Sequence, residues 1–403
     1  MERVLTVVLA CLGMVGALAI DTYLPSMPAI GRVFDVGPVA VQQTLSVFIF
    51  CFAFMMLFYG TLSDSFGRRP VLLGALTVYV LASAGAALAP SFGWLLACRA
   101  LQGLAAGSGS VIGQAIVQDR FSGAKAQKMM SHIMMVFGLA PAIAPILGGW
   151  LHVHFGWRAT FVFLAVFGAL MIVLCLKMLP ESLPVEKRHA FHPVVIARNY
   201  LMVLKHTRFL LLSLSVGLAF GGLSLYIGAA ANFVMEIMHL PETAFGWLFI
   251  PLIGGSVIGS AWSGKRSATF TPAKMKWVGY GCMALACVLN VGYTALFTPP
   301  QLPWAVLPLA LFTFGLAVAA PALQMGALQL FPDHRGLAAS MLSFIQMMSF
   351  ALVSGLVAPL LFGSAFKLAC GVTVGLVLSF CSWRVSRRLV EEGAVAKSAA
   401  ETA

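Results

Sequence analysis

Twelve runs of about 20 apolar residues, joined by short polar stretches, leave this chain few ways to fold. They cover approximately 4–29, 40–60, 70–89, 93–116, 129–151, 156–179, 209–234, 243–263, 275–297, 303–329, 336–362 and 366–387. A bilayer offers no hydrogen bonds to an open backbone, so runs of this length must be helices that cross it. Charged residues make up 9% of the chain, against about 25% in soluble domains, and the mean hydropathy is +0.95. The expected fold class is all-α integral membrane, with twelve transmembrane helices.

The net charge of +12 would suit a nucleic-acid partner, but the basic residues sort by side of the membrane instead. Of 25 lysines and arginines, Arg32, Arg158 and Lys367 fall on one side, Arg99 falls within a span, and the rest share the side of the N-terminus. The positive-inside rule then places both termini in the cytoplasm and leaves no folded basic face for nucleic acid. Arg3, a short apolar run and Ala17-Leu18-Ala19 also read as a signal peptide with a cleavage site. Eleven further spans and the even count favour an uncleaved first helix. The eight cysteines lie in or at the ends of spans without metal-type pairing, as small apolar packers. His152 and His154 are two apart with no carboxylate or thiol nearby, which suits the membrane interface better than a metal.

The most polar connection, "PESLPVEKRHAFHPVVIARNYLMVLKHTR", carries prolines, charges and an amphipathic surface segment around 193–206. It divides the chain into an N-terminal half (1–180), a cytoplasmic linker (181–208), a C-terminal half (209–390) and a cytoplasmic tail (391–403). Six spans precede the linker and six follow, a layout shared with transporters whose substrate site lies between two repeated halves.

Polar residues inside the spans are few. Of thirteen acids, Asp21 in "LAIDTYLPSMP" alone sits within a span, roughly 25 Å along the first helix from Val4 at 1.5 Å per residue. A bare carboxylate there must be neutralised by a proton or a cation, and intramembrane acids of this kind are usually functional. Two structural alternatives stay open, a cap before Pro25 and a partner for Arg99, the one basic residue deep in a span. In "GTLSDSFGRRPVLL", after the second span, Gly60 allows close helix approach, Gly67 a tight turn, and Asp64 with Arg68 a breakable latch. Topology alone would also explain Arg68 and Arg69. In "GLAPAIAPILGGW", Pro141 and Pro145 with Gly138, Gly148 and Gly149 would soften and thin the fifth helix, or serve only its packing.

These stretches carry a resemblance. Gly60, Leu62, Asp64, Gly67, Arg68 and Arg69 match the signature loop G-x-L-a-D-r-x-G-r-k of the major facilitator superfamily, with Ser65 where a base is usual. "LLACRALQGLAAGSGS" resembles its R-x-x-q-G element through Arg99, Gln102 and Gly103, and the fifth span resembles its antiporter element with Ala144 before Pro145 in place of Gly. "IDTYLPSMPAI", "APAIAPILGGWLHVHFGWRATF" and "LFPDHRGLAASMLSFIQM" are similar to the Bcr/CflA group of drug/proton antiporters, and the likeness weakens after the eighth span. Aligning Gly60 with Gly259 sets Asp64 against Ser263 and Gly67 against Arg266.

The resemblance implies a proton-coupled efflux antiporter that works by alternating access, has two six-helix halves, sits in the cell inner membrane and is monomeric. It implies no cofactor, the proton gradient being the energy source, and as partners a small-molecule substrate, protons and membrane lipid. It implies proton coupling at Asp21 and Arg99, an Arg68–Asp119 ion pair in the outward-facing state, and Asp64 capping or approaching the start of the eleventh span near Arg335. Group members export bicyclomycin, sulfonamides, phenicols or small metabolites. The cavity is sketched from Tyr23, Phe48, Phe52, Met55 and Gln114 with Tyr226, Asn232, Phe233, Gln324, Met325 and Gln346; 20 methionines and 30 phenylalanines suit an adaptable pocket. A proton-coupled importer of a nucleoside or amino acid is the second reading. An intramembrane enzyme is the third, but the spans offer no activated nucleophile or metal set, and neither a P-loop nor a nucleophile elbow occurs.

Overall fold

A membrane span satisfies its backbone only within itself, so the apolar runs become helices whose breaks fall where glycine, proline or a polar side chain supplies a substitute. The computed structural model describes residues 2–188, 192–267 and 269–402, and no strand occurs among them. In the first half the helices are α1 (Glu2–Asp21), α2 (Met27–Phe34), α3 (Pro38–Phe66), α4 (Arg68–Ala87), α5 (Phe92–Ala106), α6 (Ser108–Arg120), α7 (Gly123–Phe155) and α8 (Trp157–Met178). The linker carries α9 (Pro193–Leu204), matching the amphipathic segment expected around 193–206. The second half has α10 (Thr207–Gly228), α11 (Gly246–Arg266), α12 (Pro272–Leu296), α13 (Leu307–Leu328), α14 (Arg335–Leu352) and α15 (Ala365–Thr402), the last continuing through the tail. Eleven spans among the described residues are long and apolar enough to cross a membrane, and the 33-residue α7 stands between two of them.

Four spans are broken rather than continuous. The first stops at Asp21, passes through a 3-10 turn at Leu24–Ser26 and resumes as α2, because Pro25 and Pro28 supply no amide hydrogen. The fourth breaks at Gly107 between α5 and α6. The seventh ends in a π-helix at Asn232–Ile237, and the eleventh in a π-helix at Val353–Val357. Such local widening of a helix recurs at functional sites. Asp21, Asn232 and Ser354 all sit at these breaks.

Within the first half α1 packs on α7, α3 on α5 and α4 on α8; within the second, α12 and α11 pack on α13, and α10 on α15. The halves meet chiefly where α3 packs on α14 and α7 on α11. Small residues permit the closest approaches, as expected where lipid gives no hydrophobic drive to helix association. A Cβ on Gly103 would overlap the Phe48 carbonyl, and one on Gly109 the Leu12 carbonyl.

Candidate functional site

The functional side chains of the first half are presented by α1, α3, α5 and α7. Asp21 is the last residue of α1 and is 3% exposed. Its Oδ1 is buried with no donor from the described residues, and the Thr22 and Ser26 hydroxyls of the turn that follows are likewise unpartnered. Among the described residues no hydrogen bond or ion pair reaches the Asp21 carboxyl.

Arg99 lies in α5, fully buried, and no ion pair joins it to Asp21, so the partner-of-Arg99 reading of Asp21 does not hold in this structure. Its guanidinium is held by neutral acceptors: Nε donates to the Thr44 carbonyl at 3.3 Å, and Nη1 to the Ala19 carbonyl at 3.1 Å and to Gln102 Oε1 at 3.0 Å. Gln102 Nε2 passes the chain on to Ser83 Oγ at 2.7 Å. Aromatic faces complete the enclosure, with the Tyr23 ring 4.2 Å and the Phe48 ring 4.3 Å from the guanidinium carbon and Phe161 at 5.9 Å. Tyr23 is itself fixed by a 3.1 Å hydrogen bond with the Thr44 hydroxyl.

On the side of the bundle that carries the termini, Gly67 turns the chain at φ 98° between α3 and α4. Arg68 Nη1 meets Asp64 Oδ1 at 2.5 Å, and its Nε donates to Asp119 Oδ2 at 3.0 Å. The linker closes the same cluster. Glu181 accepts from the Arg68 and Arg69 amides at 3.0 and 3.2 Å, capping α4 where its unpaired N–H groups favour an anion, and Ser182 donates to Asp119. Glu181 and Ser182 were not singled out in the sequence, although their place in "PESL" puts them at the end of α8. Asp64 pairs with Arg68 four residues on, and Arg335 is exposed. One expectation needs correction. A Cβ on Gly60 would meet nothing within 4 Å, so no close helix approach depends on it here. Leu62 is half-buried beside the cluster.

The glycines of α7 divide between two seams. A Cβ on Gly148 would overlap the Thr22 carbonyl, immediately after Asp21, while one on Gly149 would overlap the Glu242 carbonyl of the other half. Pro141 and Pro145 lie inside this helix, and Gly138 faces open space. The same end of the bundle holds further contacts between the halves. Gln42 Nε2 donates to the Ser354 carbonyl at 3.0 Å and to its hydroxyl at 2.7 Å, and Gln43 donates to the Gly355 carbonyl at 3.1 Å. His152 Nε2 stands 3.9 Å from Glu242 Oε1. Burial holds the His152 imidazole below the ordinary histidine range, Glu242 opposing this and Arg32 adding to it.

A cavity of about 400 Å³ opens here between the halves, lined among others by Arg32, Asp35, Gln42, Asn232, Glu236 and Phe362. Of the residues expected in a substrate cavity, Asn232 lines it, donating to Glu236 and accepting from the Gly363 amide at 3.0 Å. Tyr23 and Phe48 instead enclose Arg99, with Phe52 stacked on Phe48. Tyr226 and Phe233 are buried against each other, and Tyr226 takes a hydrogen bond from Asn290 at 3.1 Å. Met55, Gln114, Gln324 and Gln346 are half-buried outside this cavity, and Met325 is 55% exposed.

With this geometry in hand, the chain can be set beside known proteins. The sequence model of the Major Facilitator Superfamily matches residues 9–385. A bicyclomycin resistance protein homolog of Haemophilus influenzae is 30% identical, the match covering 96% of this chain and 97% of the relative. Multidrug resistance protein D of Escherichia coli is 26% identical over 96% and 97% of the two chains. The crystal structure of the human organic anion transporter MFSD10 superposes with a TM-score of 0.68 at 21% identity, covering 94% of this chain and 99% of that one. At that identity the likeness concerns the fold.

Proposed function

Because the chain belongs to the Major Facilitator Superfamily, whose members are transporters and not enzymes, we propose that it is a proton-coupled antiporter exporting drugs or small metabolites by alternating access. Its relatives are named for resistance to bicyclomycin and to multiple drugs, which favours export over nutrient import. The observation that carries the reading is Asp21, a carboxyl buried among the spans with no cation or donor of the described residues upon it. Such a group must be protonated when sealed off and can release its proton when substrate or water reaches it. Proton and substrate then compete for one site, which is a minimal exchange mechanism.

The other residues fall into supporting roles. Arg99 and Gly103 fix α5 against α3, and Gln102 ties it to Ser83 of α4. Arg68, Asp64 and Asp119, steadied by Glu181, form the latch on the terminus side. Gly148 and Gly149 let α7 touch the Asp21 turn and the opposite half at once. The reading places the protein as a monomer in the cell inner membrane with both termini cytoplasmic, driven by the proton gradient without a cofactor.

Detergent-purified protein should release about one proton per substrate bound, and Asp21→Asn should remove that release while substrate still binds. Unchanged release in the variant would make the carboxyl structural. Inside-out vesicles with an acidified interior should take up substrate if the protein exports, and an importer would not. Single cysteines at positions 123 and 334 should label from the cytoplasm, and those at 37 and 239 from the other side; the reverse would invert the orientation.

A further inference from the structure

One charged cluster lies outside the transport pathway and outside the latch. On the side that carries the termini and linker, the beginning of α1, the start of α4 and the ends of α6 and α8 enclose a cavity of about 690 Å³. Arg69, Arg120 and Lys177 line it, and among the described side chains no acid does. Two nearby acids are engaged elsewhere: Asp119 with Arg68 and Ser182, and Glu181 with the amides of Arg68 and Arg69. Arg69 Nη2 donates to the Leu176 carbonyl at 2.7 Å, while its Nε is buried without an acceptor. Among the described residues no ion pair reaches any of the three cations. Like charges gathered in a half-enclosed space repel one another unless an anion joins them.

The rest of the wall is apolar. Leu176 and Met178 are 52% and 40% exposed at the end of a helix long enough to span the membrane, and Phe121 lies at the end of α6. Cations therefore stand at headgroup level with an apolar lip toward the acyl region, the arrangement that basic pockets at membrane helix ends offer to anionic lipid. We propose that this cavity binds the phosphate of an anionic phospholipid from the leaflet on the linker side, with its acyl chains along Leu176 and Met178. Guanidinium groups suit the phosphate, since two parallel N–H donors match two of its oxygens. The bound lipid borders both partners of the latch, because Arg69 follows Arg68 and Arg120 follows Asp119 in sequence. The proposal does not depend on the direction of transport.

Native mass spectrometry of the full chain, titrated with phosphatidylglycerol, phosphatidylcholine or inorganic phosphate, provides the test. Phosphatidylglycerol should be retained at far lower concentration than phosphatidylcholine. The double variant Arg120→Gln, Lys177→Gln should raise the concentration needed about thirtyfold, which corresponds to about 1 kcal/mol for each cation removed. Equal retention of the two lipids, or unchanged retention in the double variant, overturns the proposal. Displacement of the lipid by millimolar inorganic phosphate would identify a free-anion site and likewise overturn it. Thermal unfolding of the unaltered protein needs no variant: phosphatidylglycerol should raise the midpoint above its value in phosphatidylcholine, and no difference between them refutes lipid binding here.

Discussion

The two halves share a shape but not a chemistry. The first buries Asp21 and Arg99 among its spans and gathers Arg68, Asp64 and Asp119 at its terminus-side end. The second fills its interior with neutral partners: Asn290 donates to Tyr226, and Tyr280 hydrogen-bonds with Ser215 at 2.9 Å and Ser379 at 2.8 Å. The contrast extends to the corresponding loops. Where the first half sets Asp64, the second has Ser263, and its Arg266 stands 5.7 Å from the Phe270 ring rather than beside a carboxylate. Gly60 faces open space, whereas a Cβ on its counterpart Gly259 would crowd the Phe314 carbonyl at 2.6 Å. A repeated fold thus preserves helix packing while leaving each copy free to keep or lose ionisable groups, because packing depends on volume and charge chemistry on single atoms.

The sharpest way to break this contrast is to remove the buried acid of one half and the buried amide of the other. Asp21→Asn should lower proton-driven efflux by about a hundredfold or more, the scale on which proton-transfer groups act, and Asp21→Glu should keep part of it. Asn290→Ala should leave proton coupling intact in the same efflux measurement. If it uncouples transport too, the chemistry is shared between the halves. A smaller effect is expected at the seam beside Asp21. Gly148→Ala drives a methyl group into the Thr22 carbonyl and should destabilise the protein by about 3 kcal/mol, at the upper end of ordinary overpacking. Gly138→Ala, which meets nothing within 4 Å, should leave the thermal midpoint in detergent unchanged or raised.

The latch comes next. The Asp64 side chain is 42% exposed, so its pair with Arg68 is worth at most about 1 kcal/mol. Asp64→Asn should slow transport about fivefold with substrate binding intact, while Ser263→Ala in the second half should not alter the rate. The smallest effect concerns His152, just beyond the fifth span. Its proton affinity is lowered in the folded state, so the unfolded chain binds the extra proton and stability falls as pH drops through about 6.5. His152→Gln should remove that acid sensitivity, shifting the difference between melting midpoints at pH 8 and pH 5 by no more than about 2 °C.

Span number, the linker helix and the latch loop could be read from the chain because each depends on local pattern: twenty apolar residues, an amphipathic segment, or glycine and charge at set spacing. The breaks at Thr22–Ser26 and Asn232–Ile237 were less legible, since a π-helix stays apolar and differs from an α-helix only in hydrogen-bond register. The cavity was read least well. Tyr23 and Phe48 have the composition of a drug pocket, yet the three-dimensional demand of one guanidinium turns both rings toward Arg99. Arg32, Asp35 and Glu236 read as loop charges, because a crevice between halves forms only when residues some 200 positions apart meet.

The cage around Arg99 has an electrical consequence. Its guanidinium stays positive throughout, since arginine does not deprotonate in proteins, and no carboxylate balances it. On the proposal that Asp21 carries the exchanged proton, the charge buried in the spans of this half is one positive with that proton (+1 and 0) and zero without it (+1 and −1). It never becomes negative. A cationic drug gains nothing from the net field of this compartment and must come into direct contact with the carboxylate, whereas a neutral or zwitterionic one enters without that requirement. Selectivity among substrates would then depend on how closely a positive group can approach one oxygen atom, rather than on how much positive charge the molecule carries.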